Sequence, residues 1–497
     1  MKVVTAEVMR EMDRRAMASG VPGTELMANA GRALAEEIEE LAEEHRLEAP
    51  PVLFLCGPGN NGGDGFVAAR ILHEEREWPV ECRIAADRER LRGDALEAFL
   101  AMEAAGVPFS FLPDPADWEH MAAGEAEIVV DALLGTGARG EPRGAVGEAV
   151  RFADACADVA LVVAVDTPSA LAVRADLTVT MGLPKVDLLL PENVDVVGAL
   201  RVAEIGLPEE VVAEAPADPE IEFIHPADLA PLFPRRPRAG HKGNYGHLLC
   251  LGGSPGFAGA VSMTARAAVR SGVGLVSAAV PAAVLLQAAA GVPEVMFHAD
   301  APPPAGRWTA VAAGPGMGRT PETKETVLRL LAEETDVPLV LDADAIAVLA
   351  EESEAIAAAA RPVAITPHPG EFALLLGIER EAVQEDRLGM ARMAAEKLRC
   401  VVVLKGAGTI VAAPERPLAV NLTGNPGMAA GGMGDILTGL LGGLAARRLP
   451  LFAAACAAVW LHGRAGDLAA AATSQETLSP LDLLGRLADA FREIACR

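Results

Sequence analysis

Positive charge is what this chain has least of. Lysine occurs six times, and 42 Lys and Arg face 69 Asp and Glu, a formal charge of −27 at pH 7. That excess excludes binding to nucleic acid or to an anionic membrane by general electrostatics. A phosphate-bearing ligand must be held locally, by glycine-loop amides, helix N-termini or a few placed cations. Cysteine is nearly as sparse: Cys56, Cys82, Cys156, Cys250, Cys400, Cys456 and Cys496 are scattered, with no C-x-x-C pair. This excludes a disulfide framework and fits a reducing cytoplasm. The opening MKVVTAEVMREMDRRAM has no apolar signal-peptide core. The longest low-charge stretch, 449–463, is too short to span a bilayer and reads as a buried helix. No solenoid repeat is present. The partners to expect are small molecules and further copies of the chain itself.

What is present is enough apolar sequence for more than one core, since 497 residues exceed what one domain buries. The first half alternates a helix over 28–44, a strand over 52–56, a helix over 66–75, and strands over 80–86, 127–133, 161–166 and 175–182. Short β-rich runs bounded by glycine and interleaved with helical periods predict an α/β, doubly wound parallel sheet. The acidic, proline-containing stretch 207–219 reads as a linker. A second αβ series follows, with strands over 246–253, 274–280, 337–344 and 401–406 and a helix over 258–271. The segment 301–306 reads as a loop and 354–360 as a helix tail. Domains are therefore expected at 1–215 and 220–497.

In the first half, CGPGNNGGDGFVAARIL (56–72) follows a strand and opens a helix. It satisfies G-x-G-x-x-G, so a dinucleotide dehydrogenase is a rival reading. That reading leaves the polar insert Asn60, Asn61 and Asp64 unexplained. It also leaves DALLGTGARGE (131–141) and AVDTPS (164–169), each at the C-terminal end of a strand, where α/β sheets build sites. Asp131 or Asp166 alone reads equally well as a turn cap; three polar clusters at three strand ends read as a site.

The second half carries GHKGNYGHLLCLGGSPGFAGA (240–260), GPGMG (314–318), DADAI (342–346), TPHPGE (366–371), KGAGT (405–409) and GNPGMAAGGMGDILTGLLGG (424–443). A glycine run feeding an apolar helix exposes backbone N–H groups at the positive end of the helix dipole, an anion hole for a moving phosphoryl group. Asp435, at the start of that helix, is placed to take a proton from a hydroxyl being phosphorylated. Lys405, at a strand end, is a candidate phosphate contact. Taken singly, the glycine run reads as tight helix packing, Asp435 as a dipole partner, His368 as a turn residue, and His241 with Lys242 as a turn cap.

The motifs of the first half, with MREMDRRAM…LMANAGRALA, resemble the NAD(P)H-hydrate epimerase family over about residues 1–208. Those of the second resemble the ADP/ATP-dependent NAD(P)H-hydrate dehydratases over about residues 220–497. The resemblance implies a Rossmann-like domain followed by a ribokinase-like domain. It implies that Asn60, Asn61, Gly62, Gly63, Asp64, Gly135, Thr136, Gly137, Ala138, Arg139, Gly140, Glu141 and Asp166 hold the hydrated cofactor in the first, Asp166 moving a proton. Asn61, Asp131 and Ser169 would hold a potassium ion, an all-oxygen set suited to a hard monovalent cation. In the second it implies that Ala260, Gly318, His368 and Asp435 contact the hydrated cofactor. Lys405, Gly406, Ala407, Gly408, Thr409 and Gly434 would bind ADP or ATP, with Mg2+ accompanying it. The implied activity is repair of hydrated NADH and NADPH: phosphorylation of the C6 hydroxyl and elimination, with epimerisation feeding it. The rival is a ribokinase-like kinase of a small alcohol, such as a vitamin precursor, carrying a non-catalytic binding module. Three departures from the families' patterns are visible. Pro168-Ser169-Ala170-Leu171 runs almost directly into the next strand, Ala28 stands where glutamate is common, and Met433 replaces the serine of G-G-S-G-D.

Overall fold

A computed structural model describes residues 1–119, 121–137, 140–300 and 308–495. Ala138, Arg139 and the loop expected at 301–306 lie outside the described residues. The chain divides into two compact units, Lys2–Pro219 and Glu220 onward with Met1.

The first unit is built on seven strands: β1 (Val52–Cys56), β2 (Val80–Ile84), β3 (Phe109–Phe111), β4 (Ile128–Ala132), β5 (Leu161–Val165), β6 (Leu177–Met181) and β7 (Ala199–Ala203). Every pairing is parallel and the order is β3-β2-β1-β4-β5-β6-β7. Strands β1, β4 and β6 are buried at every position, as a sheet covered on both faces requires. The chain leaves β1 on one side and returns on the other as β4, so a crevice opens outside their C-terminal ends.

The helix after β1 begins at Asn60, not at 66. The segment that reads as a glycine turn is in fact its first turn and a half, and packing explains the glycines. A Cβ on Gly62 would lie 2.0 Å from Gly57 O, on Gly63 2.6 Å from Met27 Cε, and on Gly65 2.8 Å from Ala132 Cβ. The preceding helix likewise starts early, at Gly23. The expected linker contains a short helix, Glu209–Glu214, with acids in its first turn, where the dipole favours them.

The second unit has β8 (Ile221–Phe223), β9 (His247–Leu251), β10 (Leu275–Val280), β11 (Met296–Ala299), β12 (Ala310–Ala313), β13 (Leu339–Leu341), β14 (Val363–Ile365), β15 (Val401–Leu404), β16 (Thr409–Ala412) and β17 (Leu418–Asn421). Their order is β11-β10-β9-β12-β13-β14-β15-β16-β17-β8. Pairing is parallel from β11 to β15 and antiparallel on both sides of β16. The strand order reverses between β9 and β12. The strands expected over 337–344 and 401–406 stop at Leu341 and Leu404, because the residues beyond them turn away into the site.

Helix Met433–Ala446 is buried along most of its length, and helix Ala258–Arg270 lies against it. A Cβ on Gly439 would stand 2.1 Å from Thr264 O, and one on Gly443 2.1 Å from Ser271 Oγ. Glycine here allows an approach no other residue permits. The apolar run at 449–463 lies in helix Leu451–Ala472, most of which is buried. Among the described residues no helix is long and apolar enough to cross a membrane.

Candidate active sites at the strand ends of the two units

In the first unit, the C-terminal ends of β1, β4 and β5 converge. Asp131, the fourth residue of β4, is fully buried. Its carboxylate accepts the Ser169 hydroxyl at 2.6 Å and N–H at 2.8 Å, and the Leu133 N–H at 3.2 Å. Ser169 Oγ in turn accepts the Leu134 N–H at 2.9 Å. Asn61 reaches the same place: a Cβ on Gly135 would lie 3.1 Å from Asn61 Oδ1, while Asn61 Nδ2 is buried without a partner. Burial pushes Asp131 up to about 6 despite the three donors. The chain after Ser169 turns tightly, with Ala170 and Leu171 in the left-handed region, and enters β6 at Leu177, eight residues on.

Asp166, the first residue beyond β5, also has a left-handed backbone (φ 66°), a conformation that the surrounding structure must impose. It pairs with the buried Lys185, whose Nζ also donates to Thr180 Oγ1 and Met181 O, each at 2.9 Å. The Met181 N–H donates to Asp166 Oδ1 at 3.2 Å and the Thr136 N–H to Oδ2 at 3.5 Å. Burial pushes the Asp166 carboxyl up, but Lys185 and these donors outweigh it and hold it below the usual carboxylate range. Two more acids feel the same charges. Burial, with Asp166 and Asp13 beside it, drives Asp64 well up, and burial raises Asp13 to about 6 against the pull of Lys185. Asp13 lies on helix Ala6–Ala18, which also sends Arg10 to Thr136 O at 3.2 Å. The site thus holds Asn61, Asp64, Asp131, Asp166 and Ser169 together with two residues the motifs did not reveal, Asp13 and Lys185. Gly62 and Gly63 have packing reasons to be glycine; a ligand would meet them through backbone N–H groups. Gly137, Gly140 and Glu141 continue the loop beyond Thr136 at the surface.

In the second unit the centre is Asp342, just past β13. Its carboxylate is buried, accepting Lys405 Nζ at 2.8 Å and Thr438 Oγ1 at 2.7 Å. Lys405, just past β15, also lies 3.6 Å from Glu371 Oε2. Burial pushes the Lys405 ammonium down, and Asp342, Glu371 and Asp435 together push it up by more. Asp435 is the third residue of helix Met433–Ala446. Burial first, then Asp342, Asp344 and Glu371, raise it to about 7 against Lys405. The helix starts from Gly432 at φ 99°, a turn that L side chains rarely adopt. A Cβ on Gly434 would stand 3.4 Å from Lys405 Nζ, so backbone and cation face one small space.

Around this centre, His368 caps helix Pro369–Leu376, its Nδ1 accepting the Gly370 and Glu371 N–H groups at 3.0 and 3.3 Å, while Glu371 returns a bond to the His368 N–H. Its ring remains 56% exposed, so capping and ligand contact are compatible. The Gly318 N–H donates to Asp344 Oδ2 at 2.9 Å, which fixes the 314–318 loop to the start of the DADAI helix. A Cβ on Gly316 would lie 3.1 Å from Ala260 Cβ, bringing Ala260 to the same loop. Thr409 closes the 405–409 loop on Gly406 O at 2.8 Å, and buried Arg387 spreads against the Leu404, Lys405 and Gly408 carbonyls at 3.4 Å each. His241 caps a turn with Asn244.

An acid raised to about 7, a cation and a glycine-started helix beyond the C-terminal ends of β13 and β15, on a chain whose other α/β unit has its own buried acid–lysine site, define a two-domain enzyme that handles phosphorylated ligands. Residues 248–488 match the family described as NAD(P)H-hydrate dehydratase, and residues 23–186 that described as YjeF-related protein N-terminus. The bifunctional NAD(P)H-hydrate repair enzyme Nnr of Moorella thermoacetica is 37% identical over 99% of this chain and 97% of its own. That of Coxiella burnetii is 38% identical over 96% and 97%, and that of Escherichia coli 34% over 93% and 88%. The chain belongs to this family of bifunctional NAD(P)H-hydrate repair enzymes. The ADP/ATP-dependent NAD(P)H-hydrate dehydratase of Bacillus subtilis, co-crystallised with ATP and Mg2+, is 31% identical with a TM-score of 0.51, covering 55% of this chain and 98% of that one. The second unit is ribokinase-like and the first Rossmann-like.

Proposed function

We propose that the second unit dehydrates the S epimer of hydrated NADH or NADPH at the expense of ADP or ATP. The observation that carries this reading is Asp435, poised near neutrality beside Lys405 at a helix start made by Gly432. The C6 hydroxyl of the hydrate is a poor leaving group. Asp435 takes its proton as the oxygen attacks the terminal phosphorus of the nucleotide, and the shortened nucleotide leaves. Backbone N–H groups of Gly432–Gly434 and Lys405 hold the charge on the moving phosphoryl group. The lone pair of N1 then expels phosphate from C6, and loss of a proton from C5 restores the dihydropyridine. Ala260, Gly318 and His368 hold the hydrate; Lys405–Thr409 and Gly434 hold the nucleotide. Both Asp342 oxygens are engaged, and Asp344 is held by Gly318 and Arg319. Mg2+ would therefore be carried mainly by the nucleotide phosphates and water, as that ion prefers.

The first unit interconverts the R and S hydrates, with Asp166 moving the proton and Lys185 setting its charge. Asn61, Asp131 and Ser169 offer amide, carboxylate and hydroxyl oxygens in one crevice, a donor set with a single formal charge that suits potassium. The ion would supply fixed positive charge beside the bound hydrate. The tight turn after Ser169 ties its hydroxyl to Asp131, and slow or potassium-demanding epimerisation is the expected consequence.

The test uses purified R and S hydrates. Return of reduced-pyridine absorbance from S hydrate with ADP or ATP, and none without nucleotide, is the expected result. Turnover of simple alcohols with ATP and none of the hydrate would establish the small-molecule kinase instead. R hydrate, followed in potassium and in choline at matched ionic strength, reads the first unit.

A further inference from the structure

Aromatic side chains are few here, 13 Phe, four Trp and one Tyr, and all fall among the described residues. Every one but Phe257 is buried or half-buried; Phe257 is 64% exposed. Its position is as unusual as its exposure. It ends the loop after β9, where the strand order of the second unit reverses, and it precedes helix Ala258–Arg270. Crevices at such reversals are where α/β sheets take ligands.

The root of the ring is fixed. The Phe257 N–H donates to Ser254 O at 2.8 Å, its carbonyl accepts the Ala260 N–H at 3.3 Å, and the Gly253 N–H donates to Pro315 O at 2.9 Å. Gly316 approaches so closely that a Cβ there would lie 2.6 Å from Phe257 O and 3.0 Å from Phe257 Cβ. An aromatic side chain with two torsions on a fixed backbone presents a large face at low entropic cost. Left bare in water, that face has no role in the fold.

We propose that Phe257 is the stacking platform for a ring of the hydrated dinucleotide. This rests on the dehydratase reading above and adds a specificity-determining residue to it. The occupant follows from the sheet. Phe257 shares its mouth with Ala260 and the 314–318 loop. The Lys405–Thr409 loop stands four strands away, about 19 Å across the sheet at the usual spacing. The base of a nucleotide seated on that loop lies far from Phe257, whereas a dinucleotide reaching from Asp435 toward Gly318 passes over it.

The experiment compares Phe257→Ala, Phe257→Leu, Phe257→Tyr and Phe257→Trp in the full chain. Stacking on an aromatic face corresponds to about a 5- to 100-fold change in binding. Phe257→Ala should raise the KM for S hydrate by that factor and leave the KM for ADP or ATP unchanged. Phe257→Tyr should restore the wild-type value and Phe257→Leu should not. In Phe257→Trp, the added fluorescence should be quenched by hydrate and not by ADP alone. An unchanged hydrate KM in Phe257→Ala, a leucine as good as tyrosine, or quenching by ADP alone would each overturn the proposal. Wild-type protein that fails to dehydrate S hydrate would remove the dehydratase reading instead. The tryptophan quenching needs no turnover and still decides whether a dinucleotide stacks at Phe257.

Discussion

Half-buried Asp435 and buried Asp166 each face a lysine, yet their charges are set in opposite directions. Asp435 sits among Asp342, Asp344 and Glu371 and titrates near neutrality; Asp166 is dominated by Lys185 and stays ionised. A base raised to about 7 works only above that value, so kcat/KM for S hydrate should climb with pH through about 7. Asp435→Asn should lower dehydration by roughly 10²–10⁴-fold while nucleotide still binds, and residual activity above a tenth would contradict the base assignment. For Asp166 the sign is reversed: its depressed pKa stabilises the fold above the ordinary carboxylate range and is lost as pH falls through the folded value. Lys185→Met should therefore cost on the order of 3–5 kcal/mol at pH 7, read by urea unfolding, because it strands a buried carboxylate. The deficit should shrink in acid; a constant deficit would mean that packing alone was lost. Asp435 and Lys405 were legible because glycine spacing marks a phosphate site. Asp342, Asp13 and Lys185 were not, because each acts across a separation that only the tertiary fold closes: 63 residues between Asp342 and Lys405, 19 between Asp166 and Lys185.

At the scale of elements, nine of the seventeen strands described were legible from their apolar runs, since strands buried on both faces have little else to show; β3, β7, β8, β11, β12, β14, β16 and β17, each only three to five residues long, were not. Helix starts were not. The Asn60 helix hides its first turn in glycines, whose propensity argues against helix while close packing demands them. The same residue type serves two purposes at the Met433 helix, and substitution separates them. A Cβ on Gly432 would meet Met263 Cε at 2.6 Å at a backbone φ of 99°. Gly432→Ala should therefore destabilise the second unit by about 1–3 kcal/mol as well as disturb the site. At Gly434 the backbone is unstrained and the added methyl would only touch Lys405 Nζ at 3.4 Å. Gly434→Ala should unfold like wild type yet bind nucleotide poorly. Equal thermal losses in the two variants would show that Gly434 serves packing alone.

On the scale of the whole molecule, two chemistries on one chain make the repair of a mixed pool independent of which epimer forms. Asp166→Asn should dehydrate S hydrate normally and stall on R; Asp435→Asn should epimerise normally and dehydrate only at its residual rate. A mixture of the two proteins should clear R hydrate faster than either alone, and failure of the mixture would mean that one substitution disables both activities. Deep in the second unit, Gly439 and Gly443 let helix Met433–Ala446 settle directly onto helix Ala258–Arg270. By the reading proposed above, the first of these helices begins with the groups that hold the moving phosphoryl, and the second follows Phe257 and carries Ala260. Two missing methyl groups thus act as the gauge that sets how far apart the reactants are presented. An alanine at Gly439 would be a shim: a shift on the order of 1 Å can slow a reaction about 10²-fold. That loss would fall in kcat, in a protein whose every ligand-facing side chain is intact.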